Sequence, residues 1–189
     1  MDTFDAIVRR ASVRSFRPDP LPRHVIERLL AAAVRAPNHK LTEPWRFVVV
    51  TGKARERYAG IRRAHRAKKF EGQDTPEARA AIEKTFKEHM ATPVFVFVLM
   101  ELSDDEVRRE EDYGATMMAI ENLLVAAWAD GIGSYLRTGG IMDRDDVRDL
   151  VGATPGQRLV GIVSLGYLTA TPEPTPRRKP MTDLVRWMD

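Results

Sequence analysis

The 189-residue chain contains no cysteine. That excludes disulfides, iron–sulfur clusters, thiolate metal sites and cysteine nucleophiles, and it suits a reducing compartment. Long apolar runs are missing too; nothing approaches the roughly 20 residues of a membrane-spanning helix. The N-terminus, MDTFDAIVRR, opens acidic and lacks the basic-then-apolar order of a secretory signal. These absences are the expectation for a cytoplasmic protein. Histidine is scarce: His24, His39, His65 and His89 form no HxxxH or HxH pair, which argues against a histidine metal site. No GxSxG marks a nucleophile elbow, and no GxGxxG or Walker-type glycine loop marks a strand-to-helix phosphate site. Charge is not strongly one-sided. Lys+Arg 30 against Asp+Glu 27 leaves a net charge of +3 and a pI of about 9.3, so nucleic-acid binding stands only as a rival reading.

What is present is 43% hydrophobic residues, enough to build the core of one ordinary domain. The pattern predicts a short helix over 2–10 with Asp2 as its cap, then an irregular polar stretch. A second helix starts near Pro22 and stops at Pro37. FVVVT at 47–51 reads as a strand buried on both faces. Helices follow over 53–69 and from Pro76 to about Met90, then an apolar strand over 93–100. The longest helix covers 106–131, closed by Gly131 and Gly133. A short strand begins over 135–137, a helix capped by Asp143 covers 143–151, and a last strand covers 158–168. Two helices precede the first strand, so the class is α+β, a sheet with helices on both faces.

The stretch 112–130 is apolar on nearly every side, so it must be buried. A second subunit covering one side would do this; so would a central position inside a monomer. The tail over 169–179 is rich in proline, yet Met181, Leu184, Val185, Trp187 and Met188 follow it. An extended arm over 169–189 that packs on a partner subunit is the expectation.

Chemistry-bearing residues cluster in irregular backbone. Arg9-Arg10-Ala11-Ser12-Val13-Arg14 puts guanidinium groups beside a hydroxyl, a donor set for phosphate. Arg177-Arg178-Lys179 lies in the proline-flanked tail. The loop over 36–47 joins a helix to a strand and ends Pro-Trp-Arg-Phe, and 131–140 holds four glycines in ten residues, which lets backbone approach a flat ligand. The acidic run from Asp104 to Asp112 reads as a solvated helix start.

The order Arg-Arg-x-Ser-x-Arg-x-Phe, Ala-Pro…Pro-Trp-Arg-Phe, a long apolar helix ending Gly-x-Gly, then Arg-Arg-Lys-Pro resembles the nitroreductase family of flavoenzymes over essentially the whole chain, in its compact branch. The resemblance implies a central mixed sheet with helices on both faces, in an intertwined homodimer with FMN between subunits. It implies that Arg10 and Ser12 hold the FMN phosphate and ribityl chain, with Ala11 contributing backbone. Arg14 is implied at the pyrimidine end, where a cation stabilises the reduced ring. Arg178, with Arg177 or Lys179, closes over the phosphate, and Leu136, Arg137 and Thr138 lie along the ring near N5. Arg35 and His39 reach the flavin of the other subunit. The function implied is NADH- or NADPH-dependent reduction of nitroaromatic, quinone or related acceptors, by ping-pong hydride transfer through N5, with no catalytic protein acid or base. Where many relatives carry Asn and Gln, this chain has Leu41 and Glu43. The rivals are a flavin-binding or regulatory protein with little turnover, and a nucleic-acid-binding module built on the cations of 53–69, a helix that otherwise reads as a solvated face or a basic rim near the active-site mouth.

Overall fold

The computed structural model describes residues 1–170, 172 and 178–188. Helix α1 (Thr3–Arg9) starts where expected, with Asp2 Oδ1 accepting from the Asp5 amide at 3.1 Å. Helix α2 (Arg23–Ala33) follows the proline-rich turn. Strand β1 (Trp45–Val50) leads into α3 (Gly52–Lys68) and α4 (Pro76–Ala91), a helical pair that returns to β2 (Val94–Glu101). The long α5 (Glu106–Ala129) precedes β3 (Ile132–Arg137), α6 (Asp145–Leu150) and β4 (Gln157–Tyr167).

The four strands form one sheet in the order β1-β2-β4-β3, and every pairing is antiparallel. The mixed character expected of the sheet comes down to one isolated parallel bridge, Ser12 to Ser134, among the described residues. Helices cover both faces, as expected. One face packs Val96, Val98 and Val163 against α2 and α5. The other packs Phe95, Phe97 and Ile162 against Tyr58 of α3 and Val147 of α6. Each central strand therefore sends alternate side chains into two different cores, which is why β2 and β4 are apolar at nearly every position.

Three expectations change. The apolar run at 47–51 is not buried on both faces: β1 is an edge strand, and Val49 is 39% exposed. Asp143 does not cap α6; Arg144 holds the cap position, with no side-chain capping bond. Gly133 does not close α5 either, since it lies within β3. Gly131 alone serves there, at φ +73 in the left-handed region that ends helices.

The stretch after α1 is less irregular than its sequence. Val13 donates to the Ser134 carbonyl at 2.8 Å, and Arg17 to the Tyr167 carbonyl at 2.9 Å. Ala11, Val13 and Phe16 turn inward onto Trp128. This strip covers the free edge of β3, which otherwise would present unpaired backbone groups. Its seat is tight: a Cβ on Gly166 would sit 2.7 Å from Phe16 Cβ. Among the described residues no helix is long and apolar enough to cross a membrane.

Candidate functional site

Docking the strip on β3 alternates its side chains. Ala11 and Val13 go into the core; Ser12 and Arg14 are left exposed. Arg10, at the end of α1, pairs with Glu121 of α5 at 3.3 Å. Arg14 donates to the Tyr135 hydroxyl at 2.9 Å, and its guanidinium lies 4.8 Å from the ring centroid. Arg137 lies over the same ring, also at 4.8 Å, and donates to Ser164 Oγ. Burial pushes the Arg137 pKa down, and the cations Arg62 and Arg14 add to that. Past Arg137 the chain opens into Thr138, Gly139 and Gly140, with nothing within 4 Å of where a Cβ on either glycine would stand. One polar ledge thus holds Arg10, Ala11, Ser12, Arg14 and the segment Leu136, Arg137 and Thr138. Seven residues from two distant stretches of sequence come together because the strip docks on one edge strand.

Other predicted positions lie elsewhere in the single chain. His39 bonds Glu111 of α5 through Nδ1 at 2.9 Å. Glu111 and Glu121 are ten residues apart on one helix, so His39 and Arg10 attach about 15 Å apart along it. Arg35 follows the end of α2 and is exposed. Arg178 is exposed, and no hydrogen bond or ion pair joins it to the ledge among the described residues. Arg177 lies outside the described residues.

The loop carrying Leu41 and Glu43 is strained. Lys40, Leu41 and Glu43 hold φ of 54, 52 and 42 degrees, unusual for residues with a Cβ. Local bonds pin it: the Glu43 amide donates to Asn38 Oδ1 at 3.0 Å, and the Thr42 hydroxyl to Asp112 Oδ1 at 2.6 Å.

Sequence reasoning missed part of the surroundings. Tyr58 is fully buried, and Arg62, His65, Arg66 and Lys69 follow it along the same helical stripe. Arg62, Arg66 and Lys69 turn toward β3, the basic-rim reading of this helix and not the solvated face, which weakens the nucleic-acid reading. His89 of α4 stacks on Phe95 and meets Tyr58 edge-on. Burial, reinforced by Arg137 and Arg62, pushes its pKa down to about 4, although the Thr85 carbonyl accepts its Nδ1–H.

The unfolded chain binds a proton at His89 near pH 6.5 and the folded chain only near pH 4. Stability from this group is therefore complete above pH 6.5 and is lost as pH falls toward 4. Between pH 7 and pH 5 the loss is about 2 kcal/mol. Denaturant melts of wild type and His89→Phe check it; equal acid slopes in the two proteins overturn it.

The sequence profile described as the nitroreductase family matches residues 7–167. The chain belongs to the nitroreductase family. YfhC of Bacillus subtilis (strain 168), whose name makes it a candidate NAD(P)H nitroreductase, is 33% identical over 95% of this chain and 90% of its own length. A nitroreductase-like family protein from Bacillus cereus superposes with a TM-score of 0.85 at 29% identity, covering 100% of this chain and 97% of that one. The FMN-dependent nitroreductase NfnB of Mycobacterium smegmatis, solved with NADPH, superposes at 0.75 over 98% and 97% of the two chains; its 22% identity speaks to fold alone. With that family and fold, the protein is an oxidoreductase.

Proposed function

We infer that the chain is an FMN-dependent NAD(P)H oxidoreductase of the nitroreductase type, acting as a homodimer on nitroaromatic, quinone or related acceptors. The ledge on β3 carries this reading. It sets two guanidinium groups and a hydroxyl beside an open glycine segment, a donor set that suits a phosphate at one end and a flat ring at the other. The names of YfhC and NfnB support the nicotinamide reductant and the flavin.

In this reading Arg10 and Ser12 hold the phosphate, and Arg178 and Arg177 close over it from the tail. Arg14 stands at the pyrimidine end, its guanidinium steadied on Tyr135, where positive charge favours an electron-rich ring. Backbone at Leu136, Arg137 and Thr138 runs along the ring, and Ala11 contributes backbone to the phosphate. Arg35 and His39 serve the site of the partner subunit. FMN held there supplies two-electron redox chemistry, taken from NADH or NADPH and given to an acceptor that enters in its turn. No side chain of the ledge needs to move a proton for this; the chain's part is to bind, orient and bias charge.

The absorption spectrum tests it. Purified protein is expected to show flavin bands, about one FMN per chain, and NAD(P)H oxidation that rises with a nitroaromatic or quinone. Colourless protein that fails to take up added FMN sinks the reading.

A further inference from the structure

A cavity of about 360 Å³ opens between the edge of β3 and the α3–α4 pair. Arg14 and Arg137 form one wall, and Arg62, His65 and Arg66 of α3, with Lys69 just past its end, form the other. The carboxylate among its lining residues is Glu88. Arg62 makes no hydrogen bond or ion pair among the described residues, and its Nε is buried. Arg66 Nε is buried without a partner as well, while its guanidinium stacks on Phe70 at 5.0 Å.

Half-buried guanidinium groups normally find an acceptor, because a desolvated cation with no partner is costly. Here cations converge from two elements onto a concave space with little countercharge, which focuses positive potential. The neighbouring groups register it. Burial lowers the His65 pKa, and Arg144, Arg62 and Lys69 lower it further. The forked donors of arginine match the planar geometry of oxyanions. Arg10 and Ser12, assigned to the cofactor phosphate, do not line this space. Arg14 touches both, so a group seated in the cavity would lie next to the flavin.

We propose that this cavity seats an oxyanionic group, a phosphate or a carboxylate, carried by one of the two substrates that exchange at the adjoining flavin. The proposal rests on the flavin reading for the word substrate, and on the cavity alone for the anion. The size suits a small group at the end of a substrate.

Calorimetric titration of the FMN-loaded protein with inorganic pyrophosphate tests it. One site per chain is expected. The double variant R62Q/R66Q is expected to bind at least about tenfold more weakly while keeping its FMN. Glu88→Gln, an exposed position, is expected to bind about twofold or more tighter, because a like charge leaves the rim. Undiminished binding in the double variant, or no binding at all, overturns the site even if the protein is yellow. Loss of FMN from a folded double variant also overturns it, since the cavity would then belong to the cofactor. Steady-state KM values name the source. In the double variant, a rise for NADPH but not NADH seats the 2′-phosphate, and an equal rise for both seats the dinucleotide pyrophosphate. A rise for 4-nitrobenzoate but not 4-nitrobenzamide seats an acceptor carboxylate. If no anionic substrate changes, the substrate assignment is overturned. A colourless protein that still binds pyrophosphate through Arg62 and Arg66 sinks the flavin reading and keeps the anion site.

Discussion

Arg10→Ala is expected to fold normally and to hold FMN about 10- to 150-fold more weakly, the loss of one charged hydrogen bond to a phosphate. Arg10 alone of the basic cluster comes off α1 with its side chain largely buried, 19% exposed, facing Glu121 at 3.3 Å. A guanidinium held against a helix is pre-oriented, so little side-chain entropy is lost when an anion binds. The pair with Glu121, itself half exposed, contributes at most about 1 kcal/mol to the fold, so removing it leaves the chain intact. Arg178→Ala is expected to weaken FMN in the same direction. Arg9 supplies the control: it is mostly exposed and pairs with Asp5 within α1, so Arg9→Ala leaves FMN affinity unchanged. Fluorescence titration of apo-protein with FMN, beside a thermal melt, checks all three. Wild-type affinity in both Arg10→Ala and Arg178→Ala would mean that the phosphate lies elsewhere.

How much of this was legible in sequence depends on whether the controlling force was local. The central strands β2 and β4 were plain, because burial on both faces leaves a continuous apolar run. The same signature misled at β1. Its valines are apolar although the strand is an edge, and period alone cannot tell a strand between two neighbours from one with a single neighbour. The strip over 11–16 looked like loop because two isolated bridges and three unevenly spaced inward side chains, Ala11, Val13 and Phe16, are too few to leave a period. At 143–151 the acidic side chains suggested a cap, but the turn placed Arg144 at that position instead. The motifs around Arg10–Arg14 and Leu136–Thr138 were visible as residue types. Their meeting was not, because it depends on which strand sits at the sheet edge, a non-local fact. Arg62 and Arg66 stayed between two readings, a solvated face and a basic rim, for a related reason. A basic helix shows its charges in sequence, but only the packing of Tyr58 shows which side of it faces inward.

Ending the chain at Ala170 is expected to abolish the dimer and most of the FMN with it. In the single chain, Met181, Leu184, Val185, Trp187 and Met188 are all exposed, Trp187 at 79% and Met188 at 82%. Side chains of this kind in water are a standing cost of about 1.5–3 kcal/mol each relative to full burial. The chain offers a surface of the same character at its other end: Phe4, Ile7 and Val8 on α1 and Met118 on α5 are exposed too, Phe4 at 74%. Two apolar surfaces on one chain, one of them on an extended segment, are what an arm-exchanged dimer buries. A fold-back onto the same subunit would instead have to cover these residues within one chain, and the short turn over Met181–Asp183 leaves them bare. The proposed arm also carries Arg178, so on the proposed assignment its loss removes a phosphate partner along with the interface. His39, attached about 15 Å along α5 from Arg10, and Arg35, just past the end of α2, are proposed to complete the partner's site, and would lose it only if the dimer falls apart. Mass in solution and FMN content of the shortened chain, measured together, decide the matter. Monomer with little FMN is the expected result. A shortened chain that stays dimeric and fully flavinated refutes the arm, and a full-length monomer carrying FMN refutes the interfacial site.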